Sequence, residues 1–313
     1  MRVETVDICG FPSRVGDEVV VLTSKERQSV EDALETWRRD PLAMPPTENW
    51  ASRNWGVPSV LVRVDMAPLR GQQGDVHPLY EVEGGPGGLG FVHALAGDEP
   101  LQMMAECLRG LGVEEIGWEV APSRARFEAE LFRGVSVLGE HGLKVSRGLN
   151  HGLPLLLRSG GEDRVPYERC LCNYTQGGGD KLALRPFGAI LGNELGGAPG
   201  RRWPQGFVFK PRYGTGASGV LIHAANTPYR KHSDSSRQMD ACWERIENSP
   251  ERWVVQGFSP PEYLSEERLF RMWRIFAVWS GERYRAIGGF WNARNSLRLH
   301  GATDTIWGPI LAG

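Results

Sequence analysis

Twelve of the forty glycines fall between Gly177 and Gly219, and five more crowd into 84–90 (GGPGGLG). Long regular elements do not run through such stretches, because glycine weakens helix and strand alike. The segment 207–222, FVFKPRYGTGASGVLI, constrains the fold most. It sets two β-rich runs around a nine-residue loop that holds Gly214, Gly216, Ser218 and Gly219. Without Cβ atoms, the amides of such a loop can approach anionic oxygens closely. Lys210 ends the first run and brings an ammonium to the same place. The P-loop pattern G-x-x-x-x-G-K-[ST] is absent and a strand, not a helix, follows, so neither a P-loop nor a Rossmann turn fits. An ordinary hairpin with a glycine-rich turn and a surface lysine would share the pattern.

The rest of the chain supplies a globular setting for this loop. Of 313 residues, 41% are hydrophobic and eleven are Trp, which excludes general disorder, and no G-X-Y period is present. Thirty-six basic against thirty-eight acidic residues leave a net charge of −2, which argues against a dedicated nucleic-acid or membrane-surface protein. The opening MRVETVDICG has no basic segment leading into an apolar run, and no stretch of 18 apolar residues occurs, so neither a signal peptide nor a membrane span is expected. Five scattered cysteines (Cys9, Cys107, Cys170, Cys172, Cys242) read as free thiols of a cytoplasmic protein.

Alternating helix and strand signals place the chain in the α/β class. Helices are expected from Ser24 to Arg39 with Ser24 as cap, over 99–111 and 123–133, from Asp180 (DKLALRPFGAIL) and over 234–248; strands are expected at 58–65, 79–83, 113–119, 206–209, 220–222, 253–258, 268–279 and 284–292. The stretch 84–90 reads as a loop. Tyr80-Glu81-Val82-Glu83 before it reads as an edge strand entering a tight turn, with contact to a substrate amine as the alternative. A boundary near residue 165 divides an N-terminal α/β domain, 1–165, from a second unit, 166–313.

In order and spacing, the second unit resembles the ATP-grasp superfamily over about 180–300. Lys210-Pro211 with its small-residue loop and Gly219-Val220 resembles the hairpin that covers phosphates, and Asp180-Lys181 the pair that opens the central lobe's first helix. Val254-Val255-Gln256-Gly257-Phe258 resembles the strand between lobes that meets adenine, and Glu262 is the nearest acid to take the ribose. Arg268, Arg271 and Arg274 lie where the family carries a triphosphate-contacting arginine. The resemblance implies two α+β lobes gripping ATP, a central one at about 180–250 and a C-terminal one at about 251–313. It implies an ATP-dependent carboxylate–amine ligase acting through an acyl phosphate, with small-molecule carboxylate and amine substrates. Lys181, Lys210, Gly214, Gly216, Ser218, Gly219, Gln256 and Glu262 would hold the nucleotide, and Arg274 and Arg294 would serve catalysis.

Magnesium is where the sequence departs from that pattern. The usual Glu-x-Asn is missing after residue 290, and Asp304 is the only carboxylate after Glu282. Asp304, with Asn295 or Asn292, would have to bind Mg2+; Asp304 as a turn residue is the alternative. A non-catalytic ATP-binding regulator is a second functional class. A nucleic-acid binder is a third, since seven arginines between Arg268 and Arg298 interleave with Trp273, Tyr284 and Trp291. Oligomeric state is left open, a homo-oligomer included.

Overall fold

A computed structural model describes residues 1–45, 47–69, 78–85, 87–148, 152–158, 166–172, 180–213, 219–299 and 304–313. Gly214, Gly216 and Ser218 lie outside the described residues, as does the expected boundary at residue 165.

The chain opens with the hairpin β1 (Val3–Ile8) and β2 (Phe11–Gly16), then β3 (Val20–Val21), α1 (Ser24–Arg38) and α2 (Trp50–Trp55). Strands β4 (Leu61–Met66) and β5 (Leu79–Gly84) follow, then α3 (Leu89–Ala96), α4 (Glu99–Gly110), β6 (Glu115–Val120), α5 (Glu128–Glu140), β7 (Lys144–Arg147) and β8 (Leu155–Arg158). Next come β9 (Ile190–Leu191), α6 (Pro199–Arg202), β10 (Gly206–Pro211), β11 (Leu221–Ala224) and α7 (Ser236–Asn248). The chain closes with β12 (Trp253–Gly257), β13 (Glu262–Leu264), β14 (Leu269–Trp279), β15 (Tyr284–Arg294) and β16 (Ile306–Leu311).

These strands make three sheets, so the fold is mixed α/β. The largest has nine strands in the order β1-β2-β16-β15-β14-β4-β5, with β13 on β14 and β3 on β16. It is antiparallel except where β16 runs parallel to β2 and β3. Its spine is the pair β14–β15, in which Trp273 faces Trp291 with both rings buried. Burial of two such rings is a large share of the apolar driving force at this point. Strands from both sides of the expected division at 165 build this sheet, since β4 pairs with β14. A four-stranded antiparallel sheet, β11-β10-β12-β9, packs Ile190, Phe207, Phe209 and Val255 against Met239, Cys242 and Ile246 of α7. A small parallel sheet, β7-β6-β8, completes the set.

Local chemistry explains where expectation and structure part. Helix α1 buries Val30, Ala33, Leu34 and Trp37 as its spacing predicts, but its cap is Thr23: the Thr23 side chain accepts from the Glu26 amide and the Glu26 carboxylate accepts from the Thr23 amide. That reciprocal box outcompetes Ser24. The helix expected at 123–133 begins as a 3-10 turn, Pro122–Phe127, and becomes α-helical only from Glu128. At Asp180 the element is a 3-10 helix, Lys181–Phe187, containing Pro186 and ended by a left-handed Gly188. A proline that cannot donate and a glycine that reverses the backbone leave no room for an α-helix.

Candidate active site

The site begins with the register of two strands. β10 and β12 run antiparallel with Val208 opposite Gln256, so Lys210, two residues on from Val208, shares a face with Gln256. The Lys210 ammonium donates to Gln256 Oε1 at 2.8 Å and to the Tyr80 carbonyl at 2.7 Å, while Gln256 Nε2 donates to the Leu79 carbonyl at 2.8 Å. The small antiparallel sheet is thereby clasped to β5 of the large one. Lys210 is buried, with 8% exposure, and its hydrogen bonds go to neutral oxygens. Burial brings its pKa down to about 8, opposed by Glu81 and reinforced by Lys181.

Lys181 arrives by a different route. Asp180 caps the 3-10 helix by accepting from the Leu182 amide at 2.9 Å, and takes the Arg212 guanidinium bidentately, with Nε at 2.9 Å. This fork fixes the turn beside β10 and aims Lys181 at β5, its Nζ 3.6 Å from Glu81 Oε1. Two lysines from separate elements thus converge on one carboxylate.

The large sheet supplies the opposite wall. Asp65 lies across from Glu81 and Arg63 across from Glu83 on β4–β5, and Arg274 of β14 lies across from Asp65. Cross-strand partners project to the same face, so all five form one polar strip. Arg63 Nε binds Asp65 at 2.8 Å and its Nη2 binds Glu83; Arg274 Nη2 lies 3.4 Å from Asp65 and donates to the Leu299 carbonyl at 3.3 Å. Burial works hardest against the Arg63 charge, yet Asp65 and Glu83 together hold its pKa above the ordinary value. Arg63 keeps the Glu83 carboxyl low against the effect of burial, whereas burial raises Glu81 despite Lys181. Arg274 is lowered by burial, with Asp65 opposing. Strand alternation in V-R-V-D and Y-E-V-E is the signal that could have found this wall. Arg63 and Asp65 nonetheless have no place among the residues the sequence marks, and Glu81 and Glu83 read there as an edge strand.

The glycines of 84–90 serve close packing here. The amides of Gly88 and Gly90 donate to Glu130 Oε1 at 3.0 and 2.8 Å, and a Cβ at Gly90 would collide with the Glu130 carbonyl oxygen. What reads as a loop therefore runs directly into α3, pressed onto α5.

Other expected residues stand apart from this strip. Glu262 accepts from Arg271 Nε at 2.7 Å, and the same guanidinium also binds Glu18 at 2.6 Å. Asp304 is half exposed and paired with Arg294 at 3.1 Å, and Asn295 is exposed. Gly219 has φ +74, the left-handed geometry of a turn entering β11. Among the described residues no group of three His, Cys, Asp or Glu side chains is placed to hold a metal ion. Trp273, Tyr284 and Trp291 are buried at 1% exposure or less, which removes them as stacking platforms for nucleic-acid bases. Among the described residues no helix is long and apolar enough to cross a membrane. A groove of about 920 Å³ beside Cys9, Trp118 and Phe132 contains none of the strip residues.

No family model matches the sequence, and no curated protein matches it. Among solved structures, a protein provisionally named a gamma-glutamylcysteine synthetase, from Methylobacillus flagellatus, is similar over 79% of this chain and 77% of its own, at 12% identity and a TM-score of 0.40. That likeness is too distant to carry an argument, and the functional reading rests on the site.

Proposed function

We propose that the junction of the four-stranded sheet and the β4–β5–β14 wall binds ATP, and that the protein is an ATP-dependent ligase joining a carboxylate to an amine. The observation that carries this reading is the approach of Lys181 and Lys210 to Glu81, with Lys210 held in place by Gln256. Lys181, Lys210 and Gln256 are far apart in the chain, and each is a residue that the sequence pattern marks for nucleotide binding. A buried ammonium whose hydrogen bonds go to neutral oxygens fits an incoming phosphate, which would restore the charge that burial disfavours.

Such a ligase transfers the γ-phosphoryl group of ATP to a carboxylate oxygen, releasing ADP. The amine then attacks the activated carbonyl, loses a proton and expels inorganic phosphate. Neither step needs a protein nucleophile. The work of the chain is positioning and charge neutralisation: Lys181 and Lys210 on phosphate oxygens, and Arg274 on charge that develops at the transferring group. The low-dielectric setting of Arg274 and Lys210 strengthens those contacts. Magnesium does not fit the positions the sequence offers. Asp304 is committed to Arg294, Asn295 is exposed, and Asn292 is fully buried within β15. No step here is assigned to a metal.

The test is ADP release from purified protein given ATP, magnesium salt and pairs drawn from a panel of small acids and amines. Release that depends on both members of one pair supports the reading. ATP binding without release for any pair would make the protein a nucleotide-binding regulator, and no ATP binding would remove the nucleotide-site assignment.

A further inference from the structure

Arg158 ends β8 at the carboxyl edge of the parallel sheet, the edge at which α/β sheets bind ligands. Its guanidinium stacks over Phe127, with Cζ 4.8 Å from the ring centroid, and lies against Gly87 so tightly that a Cβ there would overlap it. Glycine at 87 is what admits the side chain. Among the described residues this guanidinium makes no hydrogen bond and no ion pair, and its Nε is buried without a partner.

Two carboxylates lie close enough to interact electrostatically with Arg158, and both are engaged elsewhere: Glu83 by Arg63, and Glu130 by the amides of Gly88 and Gly90. Arg274 shows the same feature, with a buried Nε that has no partner among the described residues, and it too acts on Glu83. Glu83 therefore sits in a field of four cations, Arg63, Arg158, Arg274 and Lys181. On the strip as a whole, Arg63, Arg158, Arg274, Lys181 and Lys210 outnumber Asp65, Glu81, Glu83 and Glu130. Arg158 is half-buried, but its Nε–H, cut off from water without an acceptor among the described residues, is costly unless one arrives, and the planar fork matches a carboxylate bidentately.

We propose that Arg158 binds the carboxylate of the acid substrate, a small free carboxylic acid seated on the Arg158–Arg274 side of Glu83. This rests on the ligase reading, whose reaction needs a carboxylate on the same strip as the phosphate-binding lysines. It goes beyond that reading by giving the N-terminal half a function of its own. There β8 and the Gly87 turn build the acid subsite, while the lysines of the second half build the nucleotide subsite.

Arginine Nε–H spectra of the wild-type protein test this directly, with the Arg158 signal assigned by through-bond correlation from its own backbone, since Arg126 stacks on the Phe127 ring as well. The probes are acetate, succinate, glycine and l-glutamate, added one at a time. One of these acids is expected to shift the Arg158 resonance saturably, and Arg158→Gln is expected to weaken that acid by about thirtyfold or more. Binding of a fluorescent ATP analogue to the same variant is expected to be unchanged. An Arg158 resonance that stays put with every acid, or equal acid affinity in Arg158→Gln, overturns the proposal. If the variant does not fold, the wild-type spectrum decides alone. A silent Arg158 with intact nucleotide binding defeats only this proposal; absence of nucleotide binding in the wild type defeats the ligase reading.

Discussion

The buried ammonium of Lys210 should make stability rise with pH in a range where most proteins lose it. Its pKa is about 8 in the folded chain against an ordinary 10.5. Between those values the unfolded chain holds more protons at this site than the folded one, so unfolding becomes less favourable as pH increases. The penalty is fully present below pH 8 and disappears as pH climbs toward 10.5. From pH 7 to pH 10 the gain works out at about 2–3 kcal/mol for one group shifted by this amount. Lys210→Met removes the titration. It also leaves Gln256 Oε1 and the Tyr80 carbonyl without their donor, a cost that does not depend on pH. Urea unfolding of both proteins, followed by tryptophan fluorescence at pH 7, 8, 9 and 10, isolates the effect, because other titrating groups cancel in the difference. Wild type is expected to gain about 2–3 kcal/mol on the variant across that range. A difference flat with pH would refute the claim that burial, uncompensated by a bonded anion, dominates at Lys210.

Three further sites probe the packing of the fold around the polar strip. Thr23→Ala removes the reciprocal cap of α1 and should cost about 1 kcal/mol, read as a melting temperature lower by about 1–2 °C. Gly90→Ala drives a methyl into the Glu130 carbonyl and should cost about 1–3 kcal/mol, whereas Gly110→Ala, with nothing near its Cβ, should be neutral or stabilising by up to about 1 kcal/mol in the same melts. Asn292 is fully buried and both its amide atoms lack partners among the described residues, so Asn292→Leu should raise stability by about 1–2 kcal/mol; a loss in chemical denaturation would count against that unsatisfied state.

How much of the fold and site is legible in the sequence depends on the distance over which each feature is decided. Lys210 and Gln256 can be read because local signals set them: two apolar runs, a proline, a glycine loop and strand periodicity. The wall that faces them can be read only in part: alternation in V-R-V-D and Y-E-V-E marks its strands but not which strands they pair with. Asp65 and Arg274 meet only because β4 pairs with β14, a long-range register that no local pattern specifies. Glu81 and Glu83 read as an edge strand, which β5 is at the end of the large sheet, but their pairing with Asp65 and Arg63 is again set by register. Strand β16 escapes the sequence because Pro309 sits in its middle, yet there it faces Phe290 of β15 in a regular pairing register. Helix α3 is hidden by the glycines before it, which serve its contact with Glu130 rather than a flexible turn. Arg158 carries no sequence signal at all, since an arginine at a strand end is ordinarily a solvated residue.

A nucleotide site formed by Lys181, Lys210 and Gln256 is tested most directly by calorimetric titration of ATP into the wild-type protein and into Lys210→Ala. The expected result is saturable binding to the wild type, weakened by about thirtyfold or more in the variant. Equal affinity of the two proteins for ATP would contradict it.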